Sequence, residues 1–388
     1  MMKKMLFFVS TLVLISTVLA ACSGDVVSEA VCGDGICSEG ESEESCAVDC
    51  AVEVEDLPTE TPAPTPTEEI DPIGYVTFAV YVSDFVHHDQ SAETVLALID
   101  LFEANGLHAE FYLTGPMTHI YAEAHGEVID RLRETDMTIS YHSKPPHPQT
   151  PGFLGPISGL PVDQTGRMIT RYETERLDLE TGGLIAEQPG GFNYLKDLFG
   201  TPPLAIDAPK SHRSGFALPM LAEMGARVVV FPSEYDPQQP FKRLNTMLLR
   251  PADITINRWQ VDGVEGAQPW WEMQESEFQS SFSPRDRLQQ QAEAWDAERL
   301  PFILVPINEY SFYRSGPAPW TLIYYQDETR SAAKSPPFDL NAPDASSERS
   351  EDAQQRIWDA YSQMVEWGSV YLEVVTSEDI LLIAQGLE

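Results

Sequence analysis

An aspartate and two histidines have the residue types and the setting that a hydrolytic metal site needs. Asp84 follows one apolar run, and His142 and His147 follow another, with Pro145 and Pro146 between them. One carboxylate and two neutral imidazoles can supply three metal ligands and leave a position open for water, as a hydrolytic zinc ion requires. The prolines forbid a helix between the histidines, so the pair must lie on a rigid turn. The alternative interpretation is that one histidine ends a strand, the other lies in a surface loop, and neither binds an ion.

Other residues are candidates for proton transfer and for alternative metal binding. Glu309 follows a third apolar run and can act as general acid or base; an ordinary carboxylate at the rim of a loop is the alternative. His87 and His88 follow Asp84 closely and are alternative metal ligands or substrate contacts. We therefore expect Glu309 and Asp84 to be the catalytic residues.

Aromatic residues in the second half of the chain are candidates for stacking on sugar rings. Trp270, Trp271 and Tyr313 are the predicted substrate contacts among them. Packing in the core or between loops is the more common use of aromatic side chains, and this alternative stays open. The full set of candidates is Trp259, Trp270, Trp271, Phe312, Tyr313, Trp320, Tyr324 and Tyr325.

Strands and helices must alternate to bring these residues together. Apolar runs bounded by turn residues predict strands, and apolar residues at helical spacing predict helices. About seven strands alternating with helices predict an α/β fold with a parallel (β/α) barrel, incomplete or distorted. The predicted strands are 75–82, 107–113, 137–141, 204–207, 227–231, 301–307 and 370–375, and the predicted helices are 91–104, 119–134, 215–224, 352–367 and 377–385.

Four polar residues lie just after predicted strands, namely Asp84, His142, Asp207 and Glu309. Active sites of α/β barrels lie at that end of the strands. Three regions do not fit the alternation and are predicted to be long loops and insertions that shape a cleft: 143–200, 233–300 and 314–350. No glycine-rich phosphate loop follows the first strand, so nucleotide binding has little support.

The chain resembles the polysaccharide deacetylase family in its opening motifs. Ser83-Asp84 stands where that family carries two aspartates, and 105–115 resembles the strand that follows. The segment His142-Ser-Lys-Pro-Pro-His147 stands where the family has a histidine pair. The resemblance covers 73–235 and, loosely, the last strands. It implies a distorted barrel that binds a divalent metal, usually zinc, through Asp84, His142 and His147, and that hydrolyses N- or O-acetyl groups on carbohydrate.

The sequence departs from the family pattern where the family moves protons. Ser83 replaces the aspartate that serves as general base, and a serine cannot accept a proton from bound water as a carboxylate can. The late strand ends in Asn308-Glu309 instead of a histidine, which makes Glu309 the candidate for a relocated acid or base. The histidine spacing is one residue longer than in the family. The family's arginine-proline motif is echoed only at 208–213, where Arg213 is a predicted substrate contact.

The N-terminus has the pattern of a bacterial lipoprotein signal. Lys3 and Lys4 precede an apolar stretch that ends in Leu-Ala-Ala-Cys22. The stretch is short for a membrane span and lacks a stop-transfer flank, so 1–21 is predicted to be a cleaved signal peptide. The ending resembles the lipobox, in which the cysteine is acylated; an ordinary secretory signal with an incidental cysteine is the alternative. Lipidation would hold the chain at the extracytoplasmic face of a bacterial membrane, with 22–31 as the anchor segment.

The remaining cysteines form an even set. In an oxidising compartment Cys32, Cys37, Cys46 and Cys50 can form two disulfides, with three possible connectivities. The segment 32–50 is too short for an apolar core and resembles a small cysteine-rich module of microbial surface proteins. Its acidic residues can bind calcium or simply form a solvated face, and a zinc site is less favoured.

Composition divides the rest of the chain into a spacer and one large domain. Residues 51–72 are rich in proline, threonine and glutamate, which predicts a disordered linker. Residues 73–388 are enough for a single barrel domain. The formal net charge of −37 argues against nucleic acid or anionic lipid as a partner. A monomer that contacts the membrane through its lipid alone and takes a carbohydrate as partner is expected.

Two classes of function fit these observations. The first is a metal-dependent carbohydrate deacetylase, and the second is a carbohydrate-binding lipoprotein that kept the barrel and cleft but lost turnover. A glycosidase is a third possibility that requires two carboxyl groups at a defined separation.

The lipid anchor can be tested at one residue. Because acylation needs the Cys22 thiol, Cys22→Ser should release the protein from the membrane or leave its signal uncleaved. Detergent-phase partitioning of the two proteins measures the change. Equal partitioning of wild type and variant would contradict the lipoprotein interpretation.

Overall fold

The structure is a computed structural model that describes residues 71–207, 214–230, 236, 239–244, 246–252, 258–259, 268–269, 283–294 and 302–387. The chain divides into two units, Met1–Glu68 and Glu69–Glu388, and the described residues lie in the second. The signal, the cysteines and most of the linker therefore fall outside them. No helix in the described ranges is both long and apolar enough to cross a bilayer.

A mostly parallel sheet of nine strands forms the centre of the domain. Its strands follow the order β12-β1-β2-β3-β6-β7-β9-β8, and β15 pairs with the start of β1. Only the pairing of β8 with β9 is antiparallel. The strands are β1 (Tyr75–Val82), β2 (Glu110–Leu113), β3 (Thr138–His142), β6 (Ala205–Asp207), β7 (Val228–Val230), β8 (Arg243–Leu244), β9 (Met247–Leu249), β12 (Phe302–Asn308) and β15 (Glu373–Val374).

Short two-stranded sheets and helices complete the described part of the domain. The antiparallel pairs are β4 (Glu175–Leu177) with β5 (Leu184–Pro189), β10 (Arg258–Trp259) with β11 (Gln268–Pro269), and β13 (Arg314–Ser315) with β14 (Ser347–Glu348). The α-helices are α1 (His88–Ala104), α2 (Gly115–Ala124), α3 (Gly126–Glu134), α4 (Val162–Tyr172), α5 (Gly191–Phe199), α6 (Ser214–Met224), α7 (Pro284–Glu293), α8 (Thr321–Tyr324), α9 (Glu351–Tyr371) and α10 (Ser377–Leu387). Single 3₁₀ turns are Gly155–Ile157 and Glu309–Phe312.

Burial on both faces explains why the central strands are continuous apolar runs. Alternate residues of β1, among them Phe78 and Val80, pack into the large core beneath the helices. Ala79 and Tyr81, which lie between them in sequence, pack in a second core on the other face. Parallel strands buried on both faces have this character. The architecture is thus α/β with a parallel sheet, in agreement with an incomplete barrel.

The region 143–200, predicted to be a long loop or insertion, contains regular structure, namely α4, β4, β5 and α5. The buried residues of α4, Thr165, Ile169 and Tyr172, lie at helical spacing on one face, so its sequence carries a helical signal that the prediction missed. The glycines before α5 indicate a turn in the sequence, but they serve close packing. A Cβ at Gly191 would lie 2.5 Å from the Cα of Glu173, at the end of α4.

The helix predicted over 119–134 is confirmed over nearly all its length, but a break at His125 divides it into α2 and α3. This residue has φ −136° and ψ 54° and caps both α2 and α3. Its N–H donates to the Tyr121 carbonyl, and its own carbonyl accepts from the Val128 N–H. Gly126 follows directly and lowers the helix propensity at the break.

A buried ion pair between Arg250 and Glu110 lies on one face of the central sheet. Arg250, after β9, donates to the Glu110 carboxylate at the start of β2 at 2.5 Å, and both side chains are fully buried. Hydroxyl groups of Thr77, Ser140 and Ser377 complete the hydrogen bonds of the pair. Burial raises the pKa of Glu110, but Arg250 and the hydroxyl donors outweigh it and leave this pKa lowered. The pair thereby connects strands from opposite parts of the sequence.

Removing one member of this pair tests its contribution to stability. Glu110→Gln leaves the Arg250 cation buried without an anion, so the free energy of unfolding should fall by about 3–5 kcal/mol. The matched control is Glu103→Gln, which breaks the exposed ion pair with Arg131 and should leave urea unfolding within error of wild type. Equal effects of the two substitutions would contradict this account of the core.

Candidate functional site

Polar side chains from four neighbouring strands meet at one end of the sheet. Asp84 follows β1, His142 ends β3, Asp207 ends β6 and Glu309 follows β12. These strands belong to one run of parallel pairings, so their carboxyl ends lie at the same edge. The side chains that the sequence places after strands therefore share the location where α/β enzymes bind substrates.

Asp84 and Glu309 form a buried carboxyl pair at this edge. Both side chains are fully buried. Glu309 Oε1 accepts from the backbone N–H groups of Ser83 and Asp84, each at 2.5 Å. Asp84 Oδ1 accepts from the N–H groups of Val86 and His87, and its Oδ2 accepts from the Tyr313 hydroxyl at 2.9 Å. Glu309 Oε2 has no hydrogen-bond partner.

The environments of the two carboxyl groups differ in how well they support a charge. Burial, with the nearby Asp84 charge adding to it, raises the pKa of Glu309 to about 8. Burial also raises the pKa of Asp84, but His87, Tyr313 and two backbone donors oppose this shift. Asp84 is therefore the member that carries the charge, and Glu309 is the member that holds a proton at neutral pH.

Lys144 interacts electrostatically with two acidic groups of the site. Burial lowers the pKa of this half-buried lysine, whereas the charges of Asp207 and Glu309 raise it. Burial raises the pKa of Asp207 to about 6, and Lys144 and a hydrogen bond from Tyr81 oppose the shift. At neutral pH Asp207 is thus ionised and Glu309 protonated, and both interact electrostatically with Lys144.

A small hollow opens beside these groups. It is lined by Ser83, Thr114, Lys144 and Trp320 among others, and its volume of about 10 Å³ is room for about one water molecule. Ser83 connects the hollow to Glu309 through the backbone hydrogen bond given above. The hollow therefore lies beside the buried carboxyl pair, although Glu309 itself does not line it.

The three predicted metal ligands do not converge. Asp84 uses both oxygens in the hydrogen bonds described above. His147 Nδ1 accepts from the Gln149 N–H, and His147 Nε2 lies 3.3 Å from Glu173 Oε1. His142 is buried against Tyr81, and its ring nitrogens make no hydrogen bond. In the described ranges, the group of three whose ligand atoms lie within 4.8 Å of one another is instead His88, Asp89 and His125.

Several other predicted site residues have identified positions. Tyr313 is buried, so its ring does not face solvent; its hydroxyl instead binds Asp84. The structure thereby gives Tyr313 a role other than sugar stacking. Phe312, Trp320, Tyr324 and Tyr325 are buried as well, which supports their alternative role in packing. The ring of His87 has protein partners on both nitrogens: Nε2 lies 2.7 Å from Asp344 Oδ2, and Nδ1 lies 3.1 Å from Arg314 Nη2.

The remaining predicted site residues stay predictions because they lie outside the described ranges. They are Trp270, Trp271, Arg213, Cys22, Cys32, Cys37, Cys46 and Cys50. The side chain of Trp259 is also outside the description.

Two residues of the site were missed by sequence reasoning. Lys144 carried a usable signal, because it follows His142 at the predicted end of a strand. Tyr81 is harder to identify, since its role depends on stacking with Tyr112 at 4.7 Å and on its hydrogen bond to Asp207.

Comparison with known proteins gives only distant structural likenesses. No family model matches the chain, and no curated protein matches its sequence. A protein from Mycobacterium smegmatis assigned as a polysaccharide deacetylase is similar in structure, with a TM-score of 0.43, 12% identity, and coverage of 83% of this chain and 95% of that one. A 4-alpha-glucanotransferase from Thermococcus litoralis has a TM-score of 0.43, 10% identity and coverage of 81% of this chain. The chain spans 40% of the length of the glucanotransferase. Likenesses at this level assign no family or activity.

Protonation of Glu309 should make the free energy of unfolding depend on pH. Its folded pKa of about 8 lies above the value of 4.5 for an ordinary glutamate. The folded state therefore binds the proton more tightly, and the stabilisation is complete below about pH 4.5 and lost as the pH rises through about 8. The free energy of unfolding should fall in this interval by up to about 1.4 kcal/mol per pH unit.

Glu309→Gln is the control for this measurement because it keeps a neutral side chain at every pH. Urea unfolding at pH 5, 6.5 and 8 should show a shallower decline in the variant than in wild type. Identical declines would mean that Glu309 does not hold the proton.

Proposed function

We propose that the 73–388 domain is a hydrolase that removes acetyl groups from a carbohydrate, with Glu309 as its proton-transferring residue. The observation that carries this proposal is the buried Glu309 carboxyl, whose Oε2 has no partner and whose pKa is raised to about 8. A general acid works best when its pKa lies near the operating pH. The resemblance of the opening motifs to polysaccharide deacetylases supports the choice of an acetylated carbohydrate.

Hydrolysis of an acetyl group needs a base for the attacking water and an acid for the leaving oxygen or nitrogen. Asp207, with a pKa of about 6, is ionised at neutral pH and can accept the proton of water. Glu309 is protonated at neutral pH and can donate to the leaving group. Lys144 interacts electrostatically with both acids and supplies a cation for the negative charge that develops on the carbonyl oxygen.

Asp84 has a positioning role in this proposal. Its oxygens are occupied by backbone donors and the Tyr313 hydroxyl, so neither is free to contact substrate. Its charge helps to keep the proton on Glu309, as the raised pKa of Glu309 shows. Loss of the Tyr313 hydroxyl would act on Glu309 through Asp84.

The predicted zinc site does not enter this mechanism. His142 has the free ring nitrogens that a metal ligand needs, but His147 lies against Glu173 and Gln149 and the oxygens of Asp84 have other partners. Asp84, His142 and His147 do not fit a single ion as they are arranged, so no step is derived through one.

A second candidate function is cleavage of a glycosidic bond. It is favoured by the presence of acidic groups in different protonation states, because glycosidases use one carboxylic acid and one carboxylate. Asp207 and Glu309 have these states at neutral pH. Carbohydrate binding without turnover is the third candidate function.

Location at a membrane surface is part of the proposal. The signal and Cys22 at the N-terminus support attachment by lipid, and the acidic, proline-rich linker supports a domain held away from the bilayer. Such a protein would meet cell-surface or environmental polysaccharides.

The assay is acetate release from a panel of N- and O-acetylated oligosaccharides, measured across pH. Activity should rise as Asp207 ionises near pH 6 and fall as Glu309 ionises near pH 8. Glu309→Gln should lower turnover by roughly two orders of magnitude or more with the fold intact. The exposed Glu348→Gln is the control and should keep full activity.

Three outcomes separate the candidates. Release of reducing ends without acetate would show that the protein cleaves glycosidic bonds instead of removing acetyl groups. Binding of the oligosaccharides without any product would favour the binding protein. Full activity of Glu309→Gln would overturn the assignment of Glu309.

A further inference from the structure

We propose that His88, Asp89 and His125 form a binding site for a divalent transition-metal ion, separate from the carboxyl pair. His88 Nδ1 and His125 Nε2 lie 2.9 Å apart. Asp89 Oδ1 lies 3.3 Å from the first of these atoms and 3.2 Å from the second. Three ligand atoms from three side chains thus face one point.

The distances between the three ligand atoms fit a metal ion bound at that point. Ligand atoms about 2.0–2.1 Å from a metal lie about 3.3 Å apart in a tetrahedral site and about 2.9 Å apart at neighbouring corners of an octahedral site. The observed distances of 2.9, 3.2 and 3.3 Å fall in this range. An ion can therefore be accepted with little movement of the side chains.

The fold holds the ligands in place from two directions. His88 and Asp89 begin α1, and His125 lies at the break between α2 and α3. The Ser91 and Tyr121 side chains, one on α1 and one on α2, share a hydrogen bond of 2.7 Å next to the group. The Tyr121 ring also packs edge-on against the His125 ring. The break between α2 and α3 thus orients the imidazole of His125 towards the start of α1.

A fourth side chain supports His125. Glu127 Oε1 lies 3.5 Å from His125 Nδ1, the ring nitrogen that does not belong to the group. Carboxylates in this position fix the tautomer and orientation of metal-binding histidines and raise their basicity. Glu127 is therefore a positioning residue for the proposed site.

The donor set and the exposure favour particular ions. Two imidazoles and one carboxylate suit zinc, cobalt, nickel or copper, whereas magnesium and calcium prefer oxygen ligands alone. The Asp89 side chain is 80% exposed and the His125 side chain 13%. Solvent can therefore reach the open coordination positions while the imidazole of His125 stays anchored.

A hydrogen bond between the two imidazoles is the competing explanation of the short distance. In that case one ring nitrogen carries a proton, and the contact needs no ion. The converging Asp89 oxygen and the Glu127 carboxylate behind His125 distinguish the group from a simple histidine pair. Metal titration decides between the two explanations.

The test is a titration of the purified full-length chain with zinc chloride after treatment with a chelator. Wild type should bind one equivalent more than either His88→Ala or His125→Ala. His108→Ala removes an exposed histidine elsewhere and is the control that should match wild type. Zinc held by other parts of the chain, including the cysteines, is common to all variants and cancels in the comparison.

Affinity and thermal unfolding give independent readouts. Glu127→Gln should keep the site but weaken zinc binding by about 10- to 100-fold. Saturating zinc should raise the unfolding midpoint of wild type by roughly 5 °C, and this shift should vanish in Asp89→Asn, whose exposed side chain is not needed for folding. Unchanged zinc content in the histidine variants, or a loss seen only with His142→Ala, would overturn the proposal.

Discussion

Parallel pairing of β1 with β12 brings two carboxyl groups into one buried space. The strands stay in register over seven residue pairs, from Tyr75 with Phe302 to Tyr81 with Asn308. Glu309 comes directly after the paired residues and Asp84 three residues after them, although 225 positions separate the two in the chain. Neither side chain is accessible to solvent, so the cost of removing two charges from water has to be met locally. Protonation of one group is the simplest solution.

The hydrogen bonds around the pair determine which group is neutral. Asp84 receives bonds from two backbone N–H groups and the Tyr313 hydroxyl, which stabilise an anion. Glu309 keeps one oxygen without a partner, which a proton donor to a substrate needs. Lys144 and Asp207 extend the set across neighbouring strand ends. The residues proposed as acid, base and cation then lie at the strand ends, where a parallel sheet presents its site.

Most strands of the central sheet were predictable from the sequence because their burial on both faces leaves continuous apolar runs, but β8 and β9 lie in 233–300, which was predicted to be a loop or insertion. The helix α4 was missed although it buries Thr165, Ile169 and Tyr172 at helical spacing, and the hairpin of β4 and β5 gives little signal because its residues are half-buried or exposed. Asp84 and Glu309 could each be singled out from their place after a strand. The direct contact between Asp84 and Glu309 could not be predicted, since it depends on the register of strands far apart in sequence. The break at His125, and with it the group of His88, Asp89 and His125, also depends on tertiary packing.

The proton on Glu309 can be observed most directly by infrared spectroscopy at pH 7. The difference spectrum between wild type and Glu309→Gln isolates this one carboxyl group. The account predicts the C=O stretching band of a protonated carboxyl in wild type, which disappears in the variant and is lost in wild type above pH 8, because the pKa of Glu309 is raised to about 8. A difference spectrum at pH 7 that contains carboxylate bands alone would contradict it.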